Sequence, residues 1–251
     1  MITVLVLTNH ISKATIMIIT IKNVLTAATI QQVQALLKEA HFVEGKLSAG
    51  EAASSVKNNQ ELSLQSPLHK QLNNLVMAEL VKHPQYQAAV LPAKVANAYY
   101  SRYSEGMAYG LHVDDAVMGP LSGRYRSDVS STVFLNAPEE YEGGELQIHN
   151  VNGFDTIKLN AGDAVIYPSS SLHEVSKVNR GQRLVAISWA QSLVKSSEQR
   201  KILYDLSELR NSMLENNNVS SSRDFARTST QQELVKCDQI YSNLLRMWAE
   251  L

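Results

Sequence analysis

What the chain lacks narrows it before any motif is read. Of 251 residues one is a cysteine, Cys237, which rules out an intrachain disulfide and suits a reducing cytoplasm. That thiol falls in a helical pattern near the C-terminus and is read as core rather than as a nucleophile. Excess charge of either sign is missing too. The formal net charge is −1, so there is no electrostatic reason to expect nucleic acid or an anionic membrane as partner. Long apolar runs are also absent, and no membrane span is expected. The opening stretch "MITVLVLTNHISKATIMIIT" has no basic leader and no small-residue cleavage site, and Asn9, His10 and Lys13 interrupt it, so it is read as neither signal peptide nor anchor. Met17 begins "IITIKNVLT", a strand entering a helix, which leaves 1–16 as an upstream extension.

What is present is ordinary for a globular protein: 44% hydrophobic and 19% charged residues, with enough length for a sizeable core. Three zones follow the extension. Residues 17–95 read as mostly helical. Ile30, Val33, Leu36, Leu37 and Ala40 recur at helix spacing, with Thr26 or Thr29 as N-cap and Gln32 completing a capping box. Ser66-Pro67 starts a second helix lined by Leu68, Leu72, Leu75, Val76 and Leu80, which His83-Pro84 stops. Between them "SAGEAASSVKNNQ" reads as a loop. Residues 96–192 are different: "VANAYYSRY", "VSSTVFLNA", "GELQIHNV", "FDTIKLNAGDAVIYP" and "RLVAISWAQ" are short β-rich runs punctuated by glycine turns, the pattern of a sandwich or jelly roll. Residues 193–251 return to helix, about 195–216 and 229–250, around the polar linker "ENNNVSSSRDFARTST". Leu234, Cys237, Tyr241, Leu244, Leu245 and Trp248 form one apolar stripe on the last helix, for packing on the core or on a second copy of the chain. The fold class is α+β: a jelly-roll core with N-terminal helices and a C-terminal helical extension.

One stretch of that core carries chemistry. In "YGLHVDDAVMG", residues 109–119, strand alternation puts His112 and Asp114 on one face and Val113 and Asp115 on the other. Polar groups on a half-buried strand are costly unless something pairs with them. A distant histidine, His173, follows a turn, a strand and a short loop in "LNAGDAVIYPSSSLHEV". Two histidines and a carboxylate make the facial set that occupies three adjacent positions of a six-coordinate iron(II) and leaves the others open. His10, His41, His69 and His83 lie in tail, loop or helix; His149 lies on a strand without a matched partner and ranks second.

Arg183 is the fourth candidate. If Asn179 to Gly181 is a three-residue hairpin loop with Gly181 left-handed, Val178 pairs with Gln182 and His173 lies opposite Ile187, on the face of Arg183. The four-residue offset is roughly 13 Å at strand rise. A metal-bound five-carbon dicarboxylate and an extended arginine fill that distance, and a guanidinium donates two parallel hydrogen bonds to a carboxylate.

His112-Val113-Asp114, "STVFLN", "YEGGEL", "AGDAVIYPSSSLHEV" and "GQRLVAISW" together resemble the iron(II)- and 2-oxoglutarate-dependent oxygenases of prolyl/lysyl hydroxylase type, in particular the bacterial PKHD-type hydroxylases (the PiuC/YbiX group). The resemblance runs from about Met17 to the C-terminus. It implies a double-stranded β-helix with iron held by His112, Asp114 and His173. It also implies 2-oxoglutarate on the metal with its far carboxylate on Arg183, dioxygen as co-reactant, and L-ascorbate as the reductant that rescues oxidised iron. Tyr103 and Trp189 become candidates for lining the pocket, against the plainer reading of core aromatics. The substrate is left open, and a link to iron uptake is implied by the group alone.

Two other readings use the same residues. A cupin-type metal-dependent hydrolase or isomerase would need the ligands but not Arg183. A non-catalytic metal-binding module would have a vestigial barrel, with the helical ends mediating assembly; a homodimer through the C-terminal helices is a separate expectation.

Overall fold

The computed structural model describes residues 17–48, 50–219 and 224–251; the expected extension 1–16 lies outside them. Two antiparallel sheets face each other. The larger runs β1 (Ile19–Ile21), β14 (Ala164–Pro168), β10 (Val129–Phe134), β16 (Val178–Ser192), β6 (Tyr99–Ser104), β4 (Gln60–Leu62) and β2 (Phe42–Glu44), with β5 (Pro92–Val95) and β11 (Tyr141–Gly143) also paired to β16. The smaller runs β13 (Gly153–Ile157), β12 (Leu146–Asn150), β15 (His173–Val175), β7 (Ala108–His112) and β3 (Lys57–Asn58). A short ribbon pairs β8 (Val117–Met118) with β9 (Tyr125–Arg126). This is the expected α+β jelly roll.

Side-chain parity divides the core into two layers. On β16, Val185 and Ile187 face the smaller sheet, while Leu184, Ala186 and Ala190 face the helices. On β10, Phe134 points inward while Val129 and Val133 point outward. The inner layer joins Tyr103, Phe134, Val165, Tyr167 and Val185 to Leu146, Ile148 and Val175 of the opposing sheet. Strands covered on both sides read as unbroken apolar runs, as "AVIYP" does.

The outer layer is built by α1 (Ala27–Lys38), α3 (Leu68–Lys82) and α4 (Pro84–Val90). Thr26 caps α1, its hydroxyl accepting from the Thr29 backbone N–H at 3.2 Å. The capping box through Gln32 therefore does not form, because the third helical residue is Thr29. Ser66 Oγ accepts from the Leu68 N–H at 3.3 Å at the start of α3. His83 ends α3 and caps α4, with Nδ1 accepting from the Gln85 N–H at 3.3 Å.

Three expectations change. The presumed loop 48–60 contains α2 (Glu51–Ser54), β3 and the start of β4. Hydropathy hides these strands because their buried side chains, Lys57 and Glu61, are charged and pair with each other at 2.6 Å. The presumed linker is largely helical: α5 (Ser197–Val219) and α6 (Asp224–Trp248) run into it from both sides, and 220–223 lie outside the described residues. Finally, β15 and β16 do not form a hairpin. His173 pairs with His112 and Ile148 in the smaller sheet, whereas Val178 pairs with Gly143 and Gly181 with Tyr141. The chain crosses between sheets at Ser176 and Lys177, so His173 and Arg183 face each other across the sandwich rather than sharing a sheet.

The apolar stripe of α6 is used within the chain: Tyr241, Leu244, Leu245 and Trp248 pack on Leu91, Val194 and Leu203, and Cys237 is buried. No helix among the described residues is long and apolar enough to cross a membrane.

Gly181 is left-handed as expected, at φ +77°, and a Cβ there would stand 2.2 Å from the Glu140 carbonyl oxygen. Gly181→Ala is expected to destabilise the protein by about 2–3 kcal/mol, seen as a lower denaturant midpoint at unchanged slope.

Candidate active site

The cavity between the sheets begins where β7 ends. Leu111 and Val113 are 46% exposed and His112 is 9% exposed, and the Asp114 side chain is 9% exposed. Alternation thus persists past the strand end, and Asp114 turns inward from a loop. His173, first residue of β15, is the direct cross-strand neighbour of His112. The structure brings all three together: His112, Asp114 and His173 each offer a ligand atom, all within 4.8 Å of one another.

Both imidazoles are set by the backbone in the same way. His112 Nδ1 lies 2.8 Å from the Gly110 carbonyl oxygen and His173 Nδ1 lies 2.9 Å from that of Ser171. A carbonyl accepts, so each Nδ1 carries the proton and each Nε2 presents a lone pair. Burial, then the neighbouring His173, holds the His112 imidazole well below its ordinary pKa, so it is neutral at pH 7. The Tyr109 ring stacks on His112 at 3.6 Å and the Tyr167 ring meets His173 edge-on at 5.2 Å. Asp114 Oδ1 is 4.0 Å from His173 Nε2, while Oδ2 accepts from Ser130 Oγ at 2.6 Å. Two histidine nitrogens and one carboxylate oxygen, aimed at one point in a partly dry pocket, are a donor set for a divalent transition metal.

Across the sandwich stands Arg183, 1% exposed. Its guanidinium lies 5.1 Å from the Tyr103 ring centroid and 5.5 Å from that of Phe134. Nε and Nη1 have no hydrogen-bond partner among the described residues, and neither has the Tyr103 hydroxyl. Burial pushes the Tyr103 phenol up to about 12, so it keeps its proton and is a donor. Arg200, equally buried, behaves differently and gives its Nη groups to the carbonyls of Val194, Lys195 and Asp128. A buried guanidinium with idle donors is costly until an anion meets it.

These groups line one cavity of about 640 Å³. Trp189, with Tyr99 edge-on to it at 5.6 Å, is part of that wall rather than core alone. The buried Lys57–Glu61 pair forms another part, Lys57 Nζ lying 5.3 Å from the Tyr109 ring centroid. His149 is elsewhere, paired with Glu174 at 3.1 Å. Sequence reasoning missed Tyr109, Lys57, Glu61 and Ser130. For Ser130 a signal existed: it shares inward parity with Phe134 on a strand whose six residues are all buried.

Fold and cavity define a class, the 2OG-Fe(II) oxygenase superfamily, whose family model matches residues 98–191. Within it the chain belongs to the PKHD-type hydroxylases. It is 43% identical to one from Acaryochloris marina over 93% of this chain and 100% of the other, and 43% identical to one from Thioalkalivibrio sulfidiphilus over 94% and 100%. A solved Trichoplax adhaerens prolyl hydroxylase, in complex with a hypoxia-inducible-factor peptide, shares the fold at TM-score 0.51 and 18% identity, covering 74% of this chain and 86% of that one. The protein is thus an iron(II)- and 2-oxoglutarate-dependent dioxygenase acting as a hydroxylase, with dioxygen and a further substrate as reactants.

The Tyr103 hydroxyl makes no well-formed hydrogen bond among the described residues, the Asn59 side chain being the hydrogen-bonding group near enough to influence it, so Tyr103→Phe should leave the stability of the ligand-free protein unchanged or raise it by up to about 1 kcal/mol. Chemical denaturation without metal or cosubstrate measures this.

Proposed function

We propose that His112, Asp114 and His173 hold the iron(II) of this hydroxylase and that Arg183 takes the far carboxylate of 2-oxoglutarate. The observation that carries this reading is the buried Arg183 guanidinium, with two donors unpartnered, in the same cavity as the His–Asp–His set. The residues fit the groups. The metal's charge and that of Arg183 balance the Asp114 carboxylate and the dicarboxylate, so the loaded pocket is neutral, as a desolvated site requires. Nε and Nη1 of Arg183, on different edges of the guanidinium, are both donors without a partner among the described residues, and the Tyr103 hydroxyl beside it supplies a further donor.

Iron(II) with 2-oxoglutarate and dioxygen supplies the oxidative chemistry, in which the cosubstrate leaves as succinate and carbon dioxide and a substrate C–H bond becomes C–OH. The protein does the rest. His112 and His173 present Nε2 lone pairs, Asp114 presents one oxygen, and the apolar inner layer excludes water. Arg183 and Tyr103 orient the cosubstrate from the opposite sheet. The outer cavity, walled by Tyr99, Tyr125, Trp189 and Met118, is left for the substrate bearing the C–H bond, a prolyl or lysyl group or a comparable small unit. L-Ascorbate enters as an external reductant that keeps iron ferrous and needs no residue. A homodimer through the C-terminal helices stays an expectation: the stripe of α6 packs within the chain, while Val235, Ile240 and Met247 of the same helix are exposed. The link to iron uptake is carried by the resemblance alone, and the cavity itself asks only for a C–H substrate.

Asp114→Ala should abolish metal binding and succinate release together; near wild-type turnover would reject the ligand assignment. Arg183→Met should raise the KM for 2-oxoglutarate at least about 100-fold with metal affinity kept and ligand-free stability not lowered. Turnover that depends on metal but ignores 2-oxoglutarate and oxygen would instead support a cupin-type hydrolase or isomerase.

A further inference from the structure

Asp114 carries a support that neither its strand nor the facing histidines provide. It sits beyond the end of β7, where no ladder hydrogen bond fixes the direction of its carboxylate. Its Oδ2 accepts from Ser130 Oγ at 2.6 Å, and Ser130 Oγ is 2.8 Å from Ser169 Oγ. A serine hydroxyl has one proton. The carboxylate is the stronger acceptor, so Ser130 gives its proton there and Ser169 gives its own to Ser130. Both serines are buried, at 0% and 1% exposure.

The anchor is rigid. Ser130 lies on β10, hydrogen-bonded on both sides by β14 and β16. Ser169 directly follows β14, its backbone N–H on the Asp128 carbonyl at 3.2 Å. The relay therefore ties a loop of the smaller sheet to the centre of the larger one.

We infer that Ser130, backed by Ser169, is a positioning residue that makes Asp114 a single-oxygen ligand. With Oδ2 engaged, rotation of the carboxylate is pinned and Oδ1 is the oxygen turned toward the imidazoles. A carboxylate free to offer both oxygens would occupy a further metal position and crowd those the reactants need. Sequence gives Ser131 as a control, since the neighbouring serine on β10 has opposite parity and is also buried. The inference rests on Asp114 being a metal ligand, and the experiment separates the two.

The test is calorimetric titration of the full chain with Mn²⁺, without 2-oxoglutarate, alongside the visible absorption of its Co²⁺ form. Ser130→Ala should weaken Mn²⁺ binding by about 10–100-fold and change the Co²⁺ spectrum. Ser169→Ala should do both to a smaller degree, and Ser131→Ala should do neither. Asp114→Ala should bind no Mn²⁺; if it binds normally, the ligand assignment itself fails. If Asp114→Ala is dead while Ser130→Ala and Ser169→Ala match wild type, the positioning role is overturned and the ligand stands. Equal losses in Ser130→Ala and Ser131→Ala, with the Co²⁺ spectrum unchanged, would also overturn it, since that is the signature of a strand merely loosened.

Discussion

A buried cation with no counterion among the described residues is the constraint on which this structure depends. Arg183 stands at 1% exposure between two aromatic rings, and dry surroundings penalise its charge by several kcal/mol in the order-of-magnitude sense of desolvation. Arg200 is nearly as buried, yet both its Nη groups end on backbone carbonyls and only its Nε lacks a partner among the described residues. At Arg183 the partners are withheld, along with the proton of Tyr103. A site that keeps donors idle is prepared for an acceptor that arrives from outside; under the proposed seating of 2-oxoglutarate, the cost in ligand-free stability is returned as affinity and selectivity for its carboxylate.

The opposition of the two sheets lets that preparation serve a reaction. The smaller sheet contributes the histidines, paired with each other across β7 and β15, and the larger contributes Arg183 from the middle of its longest strand. Each half is rigid by its own ladder, so the distance between the His–Asp–His set and the guanidinium is fixed by the thickness of the sandwich rather than by side-chain flexibility. The histidine tautomers follow the same logic. In each, a backbone carbonyl two residues earlier takes Nδ1, so the ligand nitrogen is chosen by main-chain geometry before any metal binds.

Much of this was legible in the sequence, because strand parity is a local rule. His112 and Asp114 share a face, Arg183 and Ile187 share another, and the short β-rich runs with glycine turns give the jelly roll. Parity cannot say which sheet a strand joins. The three residues around Gly181 have the composition of a hairpin loop and its left-handed glycine, yet the positive φ serves a close approach to Glu140, and the turn that matters is the crossing at Ser176 and Lys177. The β3–β4 region escaped for another reason. Its inward residues are a lysine and a glutamate that neutralise each other, and hydropathy cannot distinguish a buried ion pair from a solvated loop. The linker failed because a run of Asn and Ser lowers helix propensity by only tenths of a kcal/mol per residue, roughly, less than α5 and α6 gain by packing on each other and on the core.

The cavity's two ends are under different physical control, and this shapes what each can evolve to do. Around His112, Asp114 and His173 nearly every polar atom is assigned: Nδ1 to carbonyls, Oδ2 to Ser130, and Ser130 to Ser169. A change there leaves a buried donor or acceptor unpaired, which costs roughly 1–3 kcal/mol, so the inner end is constrained as a unit. The outer end is bounded by the short β8–β9 ribbon and by exposed Val117 and Leu64, at 59% and 65%, held by few ladder bonds. Substitutions on that rim cost little stability because they strand no buried partner. Under the proposed function, the oxidising chemistry falls to the end of the cavity that resists change and substrate choice to the end that tolerates it.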